Sequence, residues 1–126
     1  MKVQQVLTRI CVNDIDQAVA FYEKLLEAKC TVKFEHPQLH LELAQVGSLF
    51  LIGGSNEVLE PFRATQFTFL VDSVEEFREF ILHSGGKILK DMWQTPTGIN
   101  MVVKHADGTA AEYVQRKDQP ERENET

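Results

Sequence analysis

The sequence predicts an α+β fold of two tandem βαβββ modules, in which a curved mixed sheet surrounds a concave trough and the helices lie on the outside. Three observations support this prediction. The chain resembles itself when Val12 is placed over Val71 and Phe21 over Phe80. Each half opens on residues that alternate between apolar and polar, which is typical of a strand. Apolar residues at helical spacing follow immediately in both halves.

Composition limits the classes of function. A chain of 126 residues can bury a core without disulfides or a structural metal. A net charge of -6 and scattered basic residues argue against nucleic acid as a partner. No apolar run is long enough to span a bilayer, and the first residues lack the apolar block of a signal peptide. We therefore expect a cytoplasmic protein with no nucleic-acid or membrane partner.

The first module is predicted over residues 1–54. Its opening strand, "VLTRICV", places Leu7, Arg9 and Cys11 on one face. Asp14 is expected to cap the following helix. The face that this helix buries is predicted to be Ala18, Phe21, Tyr22 and Leu25. Three strands then follow, around "CTVKFE", "LHLELA" and "SLFLIG".

The second module is predicted over residues 64–115, after a linker of residues 55–63. Its first strand is "QFTFLV", and Ser73 with Glu76 forms a capping box at the start of its helix. The buried helix face is predicted to be Val74, Phe77, Phe80 and Ile81, and the helix is expected to end at Gly85 or Gly86. Strands follow around "KILKDMW", "INMVV" and "AAEYVQ". Residues 1–115 form one domain, and the polar tail, 116–126, is expected to be disordered.

A ligand site is expected on the sheet. A helix covers only one face of each four-stranded sheet, and the other face carries Leu7, Cys11 and Leu70, which are unfavourable in water. The two modules are therefore expected to place their strands side by side and to curl into a trough, the default position for a ligand. In the alternative interpretation, side chains simply fill the trough as core.

Two stretches carry a resemblance to a known family. "VNDIDQAVAFYEKLL" after the first strand and "HADGTAAEY" before the last strand resemble the vicinal oxygen chelate superfamily, which includes glyoxalases, bleomycin resistance proteins and dioxygenases. The resemblance covers nearly everything before the tail. The second stretch departs from the usual Asp-Pro-Asp-Gly at His105 and Ala106. The resemblance implies a homodimer and a divalent metal ion held by equivalent positions of the two modules.

The positions that match those metal ligands are Leu7, Leu51, Gln66 and Glu112. Leucine offers no donor atom, and a neutral amide oxygen is a weak ligand. The chain therefore retains only Gln66 and Glu112 as a weak metal-binding alternative. A complete site would need a further ligand, such as Cys11, His40 or His105.

A polar cluster is the other use for Glu112. Arg9 shares a strand face with Leu7, so its guanidinium is a plausible partner for the carboxylate, although it could instead extend to the rim. The predicted ligand-binding residues are Leu7, Arg9, Leu51, Gln66, Thr68, Trp93 and Glu112. Such a set suits a small, partly apolar ligand with a carboxylate or amide group.

Three functions remain open from the sequence. The favoured hypothesis is a small-molecule binding protein of the glyoxalase/bleomycin resistance type, without a metal or other cofactor, that holds its ligand in the trough. The alternative is a metal-dependent lyase or thiol transferase resembling glyoxalase, in which a divalent metal ion is bound and Glu112 is a ligand or base. A structural or regulatory dimer with no ligand is the third.

Overall fold

A computed structural model describes residues 1–117 of the chain. The elements are, in order, β1 (Val3–Val12), α1 (Ile15–Leu26), β2 (Cys30–His36), β3 (Leu41–Val46), β4 (Leu49–Gly53), α2 (Asn56–Leu59), β5 (Phe67–Val71), α3 (Val74–His83), β6 (Lys87–Thr95), β7 (Gly98–Lys104) and β8 (Ala110–Arg116). The order of strand, helix and three strands occurs twice. The predicted α+β class and the repeated order of elements are therefore confirmed.

The chain divides into two compact units. The first unit is Leu7–Ala64, and the second contains Met1–Val6 together with the described residues from Thr65 onward. The boundaries thus differ from the predicted modules, because the first six residues group with the second unit. Hydrogen bonds explain this grouping: the Asp72 amide donates to the Lys2 carbonyl at 3.1 Å, and the Lys2 amide donates to the Asp72 carboxylate at 2.8 Å. The predicted linker holds α2, which Ser55 caps.

The first unit has the strand order β2-β3-β4-β1. β1 and β4 are parallel, whereas the other two pairs are antiparallel, so the sheet is mixed. Helix α1 begins where predicted, because the Asp14 side chain accepts a hydrogen bond from the Gln17 amide. Ile15 of α1 packs against Ala44, Val46 and Leu51 of the sheet.

The predicted buried face of α1 is wrong in part. Ala18 and Tyr22 pack against the core as expected. Phe21 and Leu25, in contrast, are 57% and 61% exposed. The apolar residues of α1 form an arc that is wider than the face in contact with the sheet, so the sequence fits more than one choice of buried face. Packing on the sheet selects the face that contains Ile15.

The second unit has the strand order β5-β8-β7-β6, with β5 and β8 parallel. Helix α3 is capped by Ser73, whose hydroxyl accepts from the Glu76 amide, and it ends before Gly85, which has a positive φ of 87°. Val74, Phe77 and Ile81 enter the core as predicted, but Phe80 is 48% exposed. The remaining core residues are Val71, Met101, Val103, Ala111 and Tyr113.

The end of the described chain is more regular than predicted. Strand β8 continues through Arg116, a residue that the sequence places in the disordered tail. The Gln115 side chain accepts a hydrogen bond from the Val74 amide at 3.0 Å, which ties this end of β8 to the start of α3. The remainder of the predicted tail, 118–126, lies outside the described residues. Within residues 1–117, no helix has both the length and the apolar composition needed to cross a bilayer.

Candidate functional site

The sheet of the second unit has one face covered by α3 and one face that points away from it. Phe69 on β5 and Tyr113 on β8 pack with the α3 core. Because successive side chains of a strand alternate, Thr68 and Glu112 point to the opposite side. We call this opposite side of β5 to β8 the helix-free face.

Two neutral groups on the helix-free face donate hydrogen bonds to Glu112. The Thr68 hydroxyl donates to Glu112 Oε1 at 3.1 Å, and Asn100 Nδ2 donates to Oε2 at 3.2 Å. Thr68 and Glu112 are direct neighbours in the parallel pairing of β5 and β8. Thr68 is only 1% exposed, whereas Asn100 and Glu112 are half-buried. We call these three residues the Glu112 cluster.

Apolar and aromatic side chains surround the Glu112 cluster. Leu70 and Val114 are neighbours in the β5–β8 register and are both buried. Val114 is also paired with Asn100, which in turn is paired with Trp93 of β6. Residues that pair across strands share a face. The site therefore combines one carboxylate, an amide and a hydroxyl with a hydrocarbon and aromatic surface.

Two irregularities in β6 determine which of its side chains reach the helix-free face. The register shifts between Ile88 and Lys90 and again between Lys90 and Trp93. In a regular strand, residues three apart point to opposite faces, but here Lys90 and Trp93 share one. The Lys90 ammonium lies 4.0 Å from the centre of the Trp93 ring, within the range of a cation–π contact.

Asp91 anchors the irregular part of β6 to α3. Arg78 of α3 donates to both carboxylate oxygens of Asp91 at 2.8 Å, and the Met92 amide also donates to this carboxylate at 2.8 Å. The hydrogen bonds from Arg78, and secondly the one from Met92, lower the pKa of Asp91 to about 2. This bidentate pair therefore fixes the segment between Lys90 and Trp93.

In the first unit, the residue that shares the Arg9 face of the sheet differs from the prediction. Arg9 is paired with Phe50 of β4, whereas Leu51 is paired with Ile10. Leu51 is 0% exposed and packs with Ile15 in the core beneath α1. Leu51 therefore does not share a face with Arg9. Arg9 and Thr68 occupy equivalent positions in the two halves. Arg9 pairs with Phe50 and Thr68 pairs with Glu112, so Phe50 is the counterpart of Glu112.

Turn length explains this correction. Only Gly47 and Ser48 connect β3 to β4, whereas residues 105–109 connect β7 to β8. The match of Leu51 with Glu112 implies two extra residues in the second half, whereas the longer turn of the second half adds three. A shift of one residue transfers a side chain to the other face of its sheet.

The other predicted site residues are placed as follows. Leu7 is fully buried, and Arg9 is half-buried on the same side of β1. Gln66 is exposed and immediately precedes β5, where its amide donates to the Ala110 carbonyl at 3.0 Å. Thr68, Trp93 and Glu112 lie on the helix-free face. Asn100 and Lys90 also lie there, and neither was selected from the sequence.

The histidines proposed as extra metal ligands have other environments. Nε2 of His105 and the Tyr113 hydroxyl share a hydrogen bond of 2.9 Å on the α3 side of the sheet. Burial raises the pKa of Tyr113 to about 12, so the hydroxyl stays protonated and can donate a hydrogen bond to the histidine. His40 is exposed and directly follows a 3-10 turn. It therefore does not lie within a strand, whereas the sequence predicted that it would.

The donor atoms do not fit the metal site that the resemblance implies. With Phe50 replacing Leu51 as the counterpart of Glu112, the four equivalent positions still provide one carboxylate and one exposed amide, Gln66. Both carboxylate oxygens already accept a hydrogen bond. In the part of the chain that the structure describes, no three side chains among histidine, cysteine, aspartate and glutamate are grouped to hold an ion.

The first unit contains a shallow cleft with a volume of about 430 Å³ beside the start of α1. Its lining residues are Val12, Asn13, Asp14, Gln17, Ala18 and Phe21. The one ionisable side chain among them, Asp14, is the cap of α1. This lining offers little chemistry, and we therefore place the candidate site at the Glu112 cluster.

Solved structures of other proteins have the same fold as this chain. A solved structure of an uncharacterised protein from Methanosarcina mazei is 47% identical, with a TM-score of 0.88 over 94% of this chain and 96% of that chain. Methylmalonyl-CoA epimerase from Mycobacterium tuberculosis is 14% identical, with a TM-score of 0.71 over 90% of this chain and 89% of that chain.

A variant of methylmalonyl-CoA epimerase from Streptomyces coelicolor, in complex with 2-nitronate-propionyl-CoA, is 16% identical, with a TM-score of 0.70 over 92% of this chain and 99% of that chain. The two epimerases show likeness in fold alone. No curated protein matches the chain.

The family itself is established by sequence. The sequence model of the family described as Glyoxalase/Bleomycin resistance protein/Dioxygenase superfamily matches residues 3–113, which is most of the chain. This match agrees with the repeated order of elements and with the structural neighbours. The chain is thus a small-molecule-binding or enzyme-like protein that belongs to the Glyoxalase/Bleomycin resistance protein/Dioxygenase superfamily.

Proposed function

We propose that this protein binds a small, partly apolar molecule at the Glu112 cluster without using a metal ion. The observation that carries this proposal is the environment of Glu112, a carboxylate fixed by Thr68 and Asn100 beside hydrocarbon and an indole ring. Ligand sites are commonly apolar with a few well-placed polar groups.

The polar groups would orient the ligand, and the apolar groups would supply most of the affinity. Trp93 is half-buried and offers aromatic surface beside the buried Leu70 and Val114, and burial of exposed apolar surface contributes roughly 25 cal/mol per Å². Asn100 Oδ1 is buried and accepts no hydrogen bond within the described residues. A buried carbonyl oxygen without a donor is unfavourable. A hydrogen-bond donor on the ligand, or on a water molecule that accompanies it, would satisfy this oxygen.

The absence of metal chelation is part of the proposal and is supported by donor chemistry. Divalent ions need several donors that compete with water, preferably charged oxygen or imidazole nitrogen. Phe50 and Leu7 supply none, and the Gln66 amide is a weak donor. Glu112 would therefore act as a hydrogen-bonding and electrostatic group in the site.

Thermal-shift titration tests this function. Protein treated with a chelator would be titrated separately with Mg²⁺, Mn²⁺, Ni²⁺ and Zn²⁺ and with a panel of small aromatic compounds. We expect no saturable stabilisation by the ions and a saturable rise in melting temperature with some of the compounds. A ligand present at about 100 times its dissociation constant adds about 2.7 kcal/mol to the free energy of unfolding.

Glu112→Gln is the matched variant for this experiment. Glutamine preserves the size of the side chain, and its amide can donate to Asn100 Oδ1 if the Asn100 amide rotates, so the fold should be maintained. We expect the compound-induced shift to fall in this variant. A metal-induced shift that disappears in Glu112→Gln would instead support the metal-dependent enzyme.

A homodimer is also proposed, because the family resemblance implies one. Light scattering coupled to size-exclusion chromatography would measure the mass in solution. The proposal expects twice the chain mass of 14.4 kDa, and a mass equal to that of one chain would reject it.

A further inference from the structure

The charge of the helix-free face is opposite to that of the whole chain. The protein has a net charge of -6. On the helix-free face of β5 to β8, however, the described charged residues are Lys87, Lys90, Lys104, Glu112 and Arg116. Four cations therefore accompany one carboxylate. An excess of one sign of charge around a site attracts ligands of the opposite sign.

Lys90 is the cation best placed to act with the Glu112 cluster. Lys90 is paired with Val102, and Val102 is paired with Glu112. The Cα atoms of Lys90 and Glu112 are therefore about two strand spacings apart, roughly 10 Å. A ligand with a ring and a short acidic arm is long enough to reach between these two residues. The contact with Trp93 holds the ammonium at this surface.

We infer that the Lys90–Trp93 pair makes the site selective for small organic anions with a flat apolar group, and that Arg78 and Asp91 position this pair. The inference rests on the proposed function and adds the charge of the ligand to it. The ring of the ligand would contact Trp93 and nearby aliphatic side chains. Its anionic group would contact the Lys90 ammonium, and Glu112 would disfavour a second negative charge beside the cluster.

The role of Arg78 and Asp91 follows from the irregular register of β6. Without the extra residues in the strand, Lys90 and Trp93 would point to opposite faces. Asp91 lies between them, and its carboxylate is fixed by the two hydrogen bonds from Arg78. Arg78 extends from α3 and therefore does not share the helix-free face. It is a positioning residue that acts through Asp91.

The intrinsic fluorescence of Trp93 provides the readout, because it is the single tryptophan of the chain. The probes are 3-phenylpropionate, 3-phenylpropanamide and 3-phenylpropylammonium, which share a phenyl ring and a three-carbon arm but differ in charge. We expect the anion to bind with a dissociation constant about twofold to fivefold below that of the amide, as for an exposed ion pair. The cation should bind most weakly.

Lys90→Gln should remove this preference while leaving the binding of the neutral amide nearly unchanged. Lys29→Gln is the matched control, since it removes an exposed lysine between α1 and β2 of the first unit. The control should retain the preference for the anion. Equal loss of preference in both variants would show that only the total charge matters, and would overturn the inference.

Arg78→Gln tests the positioning role. We expect it to weaken binding of all three probes, to alter the emission of Trp93 before any probe is added, and to reduce the preference for the anion. Arg78→Lys, which can form one of the two hydrogen bonds to Asp91, should restore part of that preference. An Arg78→Gln variant that is folded and keeps the full preference would contradict the positioning role.

The possible outcomes separate the inference from the proposed function. If the anion, the amide and the cation all change Trp93 emission with similar dissociation constants, the binding function stands and the charge preference is wrong. If none of the three changes the emission, both the proposed binding surface and the inference are overturned. A preference for the cation would also overturn the inference.

Discussion

Thr68 and Glu112 face each other in register across the parallel strands β5 and β8, and the Thr68 hydroxyl donates to the Glu112 carboxylate at 3.1 Å. The hydroxyl belongs to a fully buried side chain, so its position is fixed by the surrounding packing. The carboxylate is therefore oriented by the sheet before any ligand arrives. Such preorganisation reduces the entropy lost on binding.

Replacement of Thr68 by valine should show the value of this hydrogen bond. Valine has a similar shape but cannot donate, so one oxygen of Glu112 loses a donor. A hydrogen bond to a charged group contributes about 1.5–3 kcal/mol, and the added apolar contact offsets part of that. We expect the free energy of unfolding to fall by about 1 kcal/mol in urea denaturation. Thr31→Val, at an exposed strand position, should change it by less than about 0.5 kcal/mol.

Leu51 should behave as a core residue and not as a ligand-binding residue. Leu51→Ala removes a fully buried side chain beneath α1 and should lower the free energy of unfolding by about 2–5 kcal/mol. Leu25→Ala alters a residue that is 61% exposed and should have a much smaller effect. Chemical denaturation would measure both. Comparable effects of the two substitutions would contradict the assigned register of β4.

Gly98→Ala should disturb the β7–β8 pairing that positions Asn100 beside Glu112. Gly98 has a φ of 154°, and a Cβ atom there would collide with the carbonyl oxygen of Gln115. Gly108 also has a positive φ, 96°, but a Cβ atom there meets no neighbour within 4 Å. Gly108→Ala should cost about 1–2 kcal/mol from backbone strain alone. Gly98→Ala should cost clearly more, and equal melting temperatures of the two variants would contradict this steric explanation.

The Arg78–Asp91 pair should make stability depend on acid pH. The pKa of Asp91 is lowered from 3.8 to about 2, so the folded protein binds this proton less readily than the unfolded chain. The contribution of the pair is therefore present above pH 3.8 and is lost as pH falls towards about 2. Urea denaturation of the wild type and of Asp91→Asn would measure it. The stability difference between them should shrink as pH falls through this window, and a constant difference would argue against the ion pair.

Local signals explain why the order of elements could be predicted. Asp14 and Ser73 are caps whose side chains bond to amides three residues later, and such interactions are determined within one helical turn. The face of Leu51 could not be obtained in this way. It depends on how many residues connect two strands, and the two halves of the chain differ in that number.

The candidate site was predictable only in part for a similar reason. Thr68 and Glu112 follow from strand alternation within regular strands. Asn100 gave a usable signal, because asparagine is uncommon in the middle of an apolar strand such as "INMVV". Lys90 gave none: it reaches the helix-free face through irregularities of β6, and these depend on its pairing with β7 and on the contact between Asp91 and α3.

Elemental analysis of the purified protein tests the central claim most directly. The protein would be prepared without a metal-affinity tag or chelator, and the divalent metals bound per chain would be measured by mass spectrometry for the wild type and for Glu112→Gln. We predict much less than one metal ion per chain in both proteins. One ion per chain in the wild type that is lost in Glu112→Gln would contradict recognition of the ligand without a metal.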